Sequence, residues 1–166
     1  MYKIRHVEIK DAQKLLEIYS YYVENTAITF EYDTPSLEEF TDRIKSISKK
    51  YPYIVIEEEN EIIGYTYANV FKDRAAYNWT VEYSIYISYE FSGKGVGIYL
   101  HNEIVKQLKE KNISTIEACI TYPNEASIKF HEKLGYKKVA HFNKVGYKFN
   151  KWYDVVWYEK KIKEQN

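Results

Sequence analysis

The sequence predicts a mixed α/β domain in which helices cover both faces of a central sheet, and three observations carry that prediction. Segments of period two and of period 3.6 follow one another in the order β-α-α-β-β-β-α-β-α-β-β along 166 residues, a length that fits a single domain over residues 1–166. The stretch WTVEYSIYISYEFSGKGVG, from Trp79 to Gly97, runs strand, glycine loop, helix start. No linker, low-complexity tract or internal repeat breaks the chain.

Tyr2 to Val7 reads as the first strand, and Asp11 is placed to cap a helix with Leu15, Tyr19, Tyr22 and Val23 on one side. NTAITFEYDTPS, beginning at Asn25, lacks a helical period and forms a connection that carries Thr29 and Phe30, in the kind of loop that often lines a site. Phe30 either faces that site or packs the loop onto the core. Ser36 with Glu39 makes a capping box, Leu37, Phe40, Ile44 and Ile47 mark the buried side of a second helix ending near Lys50, and Pro52 closes it. Tyr53 to Glu58 and Ile62 to Phe71 flank a polar tip at Glu59, Asn60 and Glu61, which predicts an antiparallel hairpin.

The loop KDRAAYN then leads into the Trp79 strand. There Trp79, Val81, Tyr83, Ile85 and Ile87 alternate with Thr80, Glu82, Ser84 and Tyr86, so a carboxylate sits mid-strand opposite the apolar row. After the glycine loop, Leu100, Ile104, Val105 and Leu108 recur at helical spacing to about Lys111, and Thr115 to Ile120 is a β-rich run holding Cys119. Asn124 caps a helix through Leu134, Gly135 stops it, and Tyr136 to Lys161 gives two closing strands.

Composition narrows the function classes. Lys plus Arg equals Asp plus Glu at 24 each, so the excess positive charge of nucleic-acid or acidic-membrane binders is absent and a small-molecule partner is favoured. One cysteine excludes an internal disulfide and metal sites built on several thiolates, and it fits a reducing, cytoplasmic setting. MYKIRHVEIKDAQ has no apolar core of signal-peptide length, and no apolar run approaches the ~20 residues needed to span a bilayer.

Chemistry concentrates at Gly93, Lys94, Gly95, Val96 and Gly97. The first amides of a helix lack internal partners, the macrodipole places positive potential there, and glycines let a phosphate approach the backbone. Neither the Walker spacing nor the dinucleotide fingerprint is present, since Ile98 stands where the last glycine would be; a coenzyme A pyrophosphate or a plain tight turn remains. Arg74 suits a substrate carboxylate or phosphonate, or is a solvated surface arginine. Cys119 is an acyl-carrying nucleophile or inert packing.

The element order, the SGKGVG loop and the block NEASIKFHEKLGY together resemble the GNAT superfamily of acetyl-CoA-dependent N-acetyltransferases. NTAITFE, AAYNWTVEYSIYI, PNEASIKFHEKLGY and VGYKFNKWYDVVW, in that order, resemble the phosphinothricin acetyltransferase family over nearly the whole chain. Ser92 departs from the Gln or Arg that usually opens the superfamily's phosphate loop, which leaves the backbone as the cradle. The resemblance implies a GNAT-type mixed, mostly antiparallel central sheet with helices on both faces, acetyl-CoA as co-substrate, no metal, and a homodimer.

It also implies roles. Ile85, Tyr86 and Ile87 would pair with the pantetheine arm, Gly93, Lys94, Gly95, Val96, Gly97 and Ile98 would hold the pyrophosphate, and Asn124 would reach the coenzyme. Glu82 matches the family's general base, and His131 stands where many superfamily members have a tyrosine near the leaving thiolate. Phe30, Lys72, Asp73, Arg74, Tyr77, Glu82, Tyr83 and Ser84 would face the amino substrate. Direct attack of an amine on the thioester is then expected, with the α-amine of phosphinothricin, methionine sulfoximine or methionine sulfone as the acceptor. The competing readings are a non-catalytic acyl-CoA-binding module, which Glu82 argues against, and an acetyltransferase for a polyamine or a protein N-terminus. His131 either protonates the thiolate, contacts an acidic substrate, or is a helix-end histidine hydrogen-bonded in place.

Overall fold

A computed structural model of the chain describes residues 1–165. Seven strands, β1 (Tyr2–His6), β2 (Tyr53–Glu58), β3 (Glu61–Val70), β4 (Thr80–Ile87), β5 (Thr115–Tyr122), β6 (Lys137–Lys148) and β7 (Lys151–Lys161), form one sheet in the order β1-β2-β3-β4-β5-β7-β6. The helices are α1 (Ala12–Asn25), α2 (Leu37–Ser48), α3 (Val96–Glu110) and α4 (Glu125–Lys133). Element order and the two-sided helix cover follow the sequence prediction. Neighbouring strands run antiparallel except β4 and β5, which are parallel and therefore need α3 as their crossover. None of the described helices is long and apolar enough to cross a membrane.

Alternation on the strands sorts the core into two layers. Val81, Tyr83, Ile116, Ala118 and Val156 face one way and pack with Leu100, Ile104 and Leu108 of α3, while Tyr53, Val55 and Tyr65 face the other way against Leu15, Tyr19, Phe40 and Ile44 of α1 and α2. The β2–β3 turn is tight because Glu59 and Asn60 both take positive φ, 51° and 67°, the geometry a two-residue hairpin requires.

Two capping expectations are corrected. Asp11 does not cap α1 with its side chain; its carboxylate takes two bonds from Arg5, at 2.8 and 2.9 Å, and one from the Glu8 amide at 2.7 Å. A buried carboxylate is better held by a guanidinium than by one amide, and Arg5 also reaches Glu57, so β1, β2 and the start of α1 are tied together. Ser36 does accept from the Glu39 amide at 3.1 Å, but Glu39 turns to Arg43 instead of back to the cap, so half of the capping box forms.

The β6–β7 hairpin fastens the α1–α2 connection. Lys148, 3% exposed, donates to the carbonyls of Val23 at 2.7 Å and Thr29 at 2.8 Å, a cation set on the C-terminal turn of α1 where the helix dipole favours it. Phe30 lies against Gly146, so closely that a Cβ there would fall 2.2 Å from the ring. Only glycine fits.

Register across the sheet also lines up three carboxylates, Glu82 on β4, Glu117 on β5 and Glu159 on β7. Burial, and then its hydrogen bond to Glu159, push the Glu117 carboxyl up to about 8, while that same bond holds Glu159 below its ordinary value. The pair shares one proton. Because the folded chain keeps a proton on Glu117 that the unfolded chain has released, the pair's contribution to stability falls as pH rises toward and through about 8. In Glu117→Gln the amide donates at every pH, so thermal melts taken from pH 7 to pH 9 are expected to fall less steeply than in the parent protein. Equal slopes would show that the pair does not share a proton.

Candidate active site

Parallel pairing between β4 and β5 lasts three rungs, Thr80 with Thr115, Val81 with Ile116 and Glu82 with Glu117, and then the strands part. A narrow cavity of about 80 Å³ fills the opening. Because the gap is in the sheet itself, side chains reach it from both faces. Glu82, Ser84, Tyr86, Cys119 and Thr121 come from one; Tyr83, Ile85, Ala118, Ile120 and, from α4, Ser127 and His131 come from the other.

Past the end of β4 the chain makes a single 3-10 turn, Tyr89–Phe91, and enters the glycine loop. Gly93 and Gly95 take φ of 76° and 79°, a left-handed conformation that side chains rarely adopt, and α3 begins at Val96 directly after. Apart from its chain neighbours, no atom lies within 4 Å of where a Cβ would stand at either glycine, so nothing from the rest of the fold packs onto this exposed loop. Lys94 sits beside it with its ammonium 5.3 Å from the Phe91 ring centre. Gly97 faces Phe130 of α4 and Ile85 of β4, which joins the loop to the cavity.

Burial works against charge at each titratable group of the site. Burial raises the Glu82 carboxyl above its ordinary value, with Lys72 pulling weakly the other way. Desolvation, with the Glu82 charge adding to it, pushes the Cys119 thiol up to about 12, so it stays protonated and is a poor nucleophile. His131 is lowered by burial and is neutral. Its Nδ1 lies 2.7 Å from the Ser127 carbonyl oxygen, and its Nε2 meets the Tyr83 hydroxyl. Asn124 caps α4, its side-chain oxygen accepting from the Ser127 amide at 3.2 Å, at the cavity's edge.

Of the residues singled out in the sequence, Glu82, Tyr83, Ser84, Ile85, Tyr86, Asn124 and His131 come together on this cavity. Ile87 continues the same strand, and Gly93 to Ile98 lie at its end. Tyr83 points to the α3 side, away from the face that carries Glu82 and Ser84. Lys72 is exposed but near enough to act on Glu82; Asp73, Arg74 and Tyr77 are exposed on the β3–β4 loop, Tyr77 with its edge on Phe71. Phe30 is not a lining residue: it packs under Gly146 and near Tyr153, and Ile28 of the same loop lines the cavity. Ile28, Ala118, Ile120, Thr121 and Ser127 were missed. The β5 residues had a readable signal in their position next to the Glu82 strand; Ile28 had none.

Comparison with known proteins follows this geometry. The profile of the acetyltransferase (GNAT) domain family matches residues 4–157. A phosphinothricin N-acetyltransferase of Streptomyces viridochromogenes is 30% identical over 158 residues, covering 95% of this chain and 86% of that one. An L-methionine sulfoximine/L-methionine sulfone acetyltransferase of Salmonella typhimurium is 27% identical over 97% of this chain and 95% of its own. Among solved structures, a phosphinothricin acetyltransferase of Sinorhizobium meliloti in complex with acetyl-CoA superposes with a TM-score of 0.93 at 33% identity, over 96% of this chain and 88% of that chain. A parted β4–β5 pair, a glycine cradle at the start of α3 and a half-buried carboxylate beside the gap are thus found on a chain that belongs to the GNAT acetyltransferase family, and it is an acetyl-CoA-dependent N-acetyltransferase related to the phosphinothricin and methionine sulfoximine enzymes.

Proposed function

We propose that the protein acetylates the α-amino group of a small amino acid or analogue, of the kind represented by phosphinothricin, methionine sulfoximine or methionine sulfone, by direct attack of the amine on the thioester. The observation that carries this reading is Glu82, a carboxylate raised by burial at the last β4–β5 rung, where the strands begin to part. In this reading the open amides of Gly93 to Ile98 grip the pyrophosphate, the edge of Ile85, Tyr86 and Ile87 aligns the pantetheine arm with Asn124 beside it, and the thioester ends next to Glu82. A backbone N–H of the Ile85 edge steadies the developing oxyanion.

Magnitudes favour an α-amine. An α-amino group with pKa near ~7.8 is about a tenth to a fifth neutral at pH 7, whereas a lysine-like amine at ~10.4 is neutral well below ~0.1% of the time. Glu82 therefore has a modest task with the first class and a hard one with the second. Lys72 and Arg74, on the loop beside Glu82, give a carboxylate or phosphinate end something to meet, with Asp73 limiting the net charge; Tyr77 completes that side of the acceptor region. The substrate is small, neither a nucleic acid nor a membrane surface, in keeping with the balanced charge, and the setting is cytoplasmic.

The protein further acts as a homodimer. Val139, Phe142, Val145, Tyr147, Phe149 and Trp152 are exposed on the β6–β7 hairpin, a run of apolar surface that a second copy would cover. Sedimentation is expected to give a dimer; a monomer at micromolar concentration would contradict this.

In a thiol-release assay, phosphinothricin and methionine sulfone are expected to turn over and spermidine not to; spermidine as the preferred acceptor would move the substrate class to polyamines, and no release with any amine would leave a binding module. Glu82→Gln is expected to lose roughly 10²-fold in kcat/KM at pH 7, the lower end of general acid–base effects, with the loss shrinking as rising pH deprotonates the amine unaided. Rates unchanged by the substitution from pH 6 to pH 9 would remove Glu82 from the mechanism.

A further inference from the structure

On the side of the cavity that carries Glu82, the lining side chains Glu82, Ser84, Tyr86, Cys119 and Thr121 stand on β4 and β5, where strand pairing fixes the way they point. The remaining wall on that side is Ile28, in the connection between α1 and α2. These two helices cover this face of the sheet, with the Tyr19 ring of α1 set edge-on against Tyr86, centres 5.2 Å apart. No strand ladder holds Ile28. Its side chain is 44% exposed, so it is a wall of the cavity and not a member of the core. Where it stands depends on what grips the chain around it.

Three consecutive residues of β6 supply that grip. Gly146 leaves room for the Phe30 ring, the Tyr147 carbonyl accepts from the Tyr32 hydroxyl, and Lys148 reaches further in. The ammonium of Lys148, a residue only 3% exposed, donates to the Thr29 carbonyl at 2.8 Å, on the residue next to Ile28, and to the Val23 carbonyl at 2.7 Å, in the last turn of α1. The Val23 carbonyl is among those that a helix end leaves without an internal partner, and an ammonium is a charge-assisted donor for it. One nitrogen thus bridges the loop from its helical root to the far side of Ile28. The other bonds around Ile28 come from α1 and the loop itself: the Ile28 amide donates to Thr26 Oγ1 at 3.2 Å, and the Thr29 and Tyr19 hydroxyls are bonded at 2.8 Å.

We infer that Ile28 sets the size of the acceptor side chain that the site admits, and that Lys148 is its positioning residue, one ammonium holding the chain on both sides of Ile28 and so fixing how far that wall stands from Glu82. The inference rests on the acetyl-transfer reading above and deepens it: the amine meets the thioester beside Glu82, and the rest of the acceptor then has Ile28 to pass. Gly146 decides that Phe30 turns away from the cavity; Lys148 decides how far Ile28 comes toward it. The wall is apolar, so it sorts amino acids by bulk and not by charge. One methylene more or less in an enclosed apolar pocket is worth about 10–200-fold, and at a half-open wall the effect belongs at the low end, about tenfold. A lost clamp loosens the wall without removing it, so its effect is smaller.

The test is the ratio of kcat/KM for methionine sulfone to that for its S-propyl homologue, measured in the parent, Ile28→Ala, Lys148→Met and the double variant, with KM for acetyl-CoA followed in each. Loss of folded protein lowers both rates alike and cancels in the ratio. Ile28→Ala is expected to shift the ratio about tenfold toward the longer acceptor and Lys148→Met about threefold the same way. The double variant should shift it by about the tenfold of Ile28→Ala alone, because a clamp acts only through the wall it holds. KM for acetyl-CoA should stay within about twofold throughout. An unmoved ratio in either single variant, or a double variant in which the two shifts multiply to about thirtyfold, would overturn the inference. So would a Lys148→Met chain that does not fold, which would make Lys148 a residue of the fold and not of the wall. A parent that turns over neither sulfone would refute the acetyl-transfer reading and the inference with it; turnover with unmoved ratios refutes the inference alone.

Discussion

The three-rung limit on β4–β5 pairing is the constraint from which the site descends. Parallel strands need a crossover, and α3 supplies it, so a helix must start close to where β4 ends. That places four unsatisfied amides and a positive dipole end beside the opening in the sheet. In the proposed reading, anion cradle and acyl slot are two consequences of one strand arrangement. α4, starting after β5, closes the other wall and brings Asn124, Ser127 and His131 to the same gap.

Burial disfavours the charged form of each titratable group in that gap. Cys119 keeps its proton, His131 lacks a second one, and Glu82 is raised but still faces Lys72. Such an environment suits a neutral amine attacking a neutral thioester, since charge appears only as the tetrahedral intermediate forms and the fixed backbone dipoles then act in a low dielectric. The shared proton of Glu117 and Glu159 extends the same economy: in place of three adjacent carboxylate charges, the row across β4, β5 and β7 carries fewer.

Most of the fold was legible because burial writes itself into period. The β4 alternation and the α3 spacing of Leu100, Ile104 and Leu108 located both elements and their inner faces, and the glycines located the cradle between them. What sequence could not show were choices among partners. Asp11 could have capped α1 and instead took Arg5; Glu39 could have closed its capping box and took Arg43. Phe30 and Ile28 sit two residues apart in a loop without period, and only the close approach of Gly146 decides that Phe30 packs away and Ile28 reaches the cavity. The Tyr83–His131 bond joins residues 48 apart, and no local pattern announces it.

The central claim, that the parted strands and the glycine cradle together seat one coenzyme, is tested most directly by amide hydrogen exchange with and without acetyl-CoA. The account predicts slowed exchange in two separate stretches at once, Ser84 to Ile87 and Gly93 to Ile98, with the α1–α2 face of β2 and β3 unchanged. Exchange at Ser84 to Ile87 that does not respond to saturating coenzyme, even with the glycine loop protected, would contradict it.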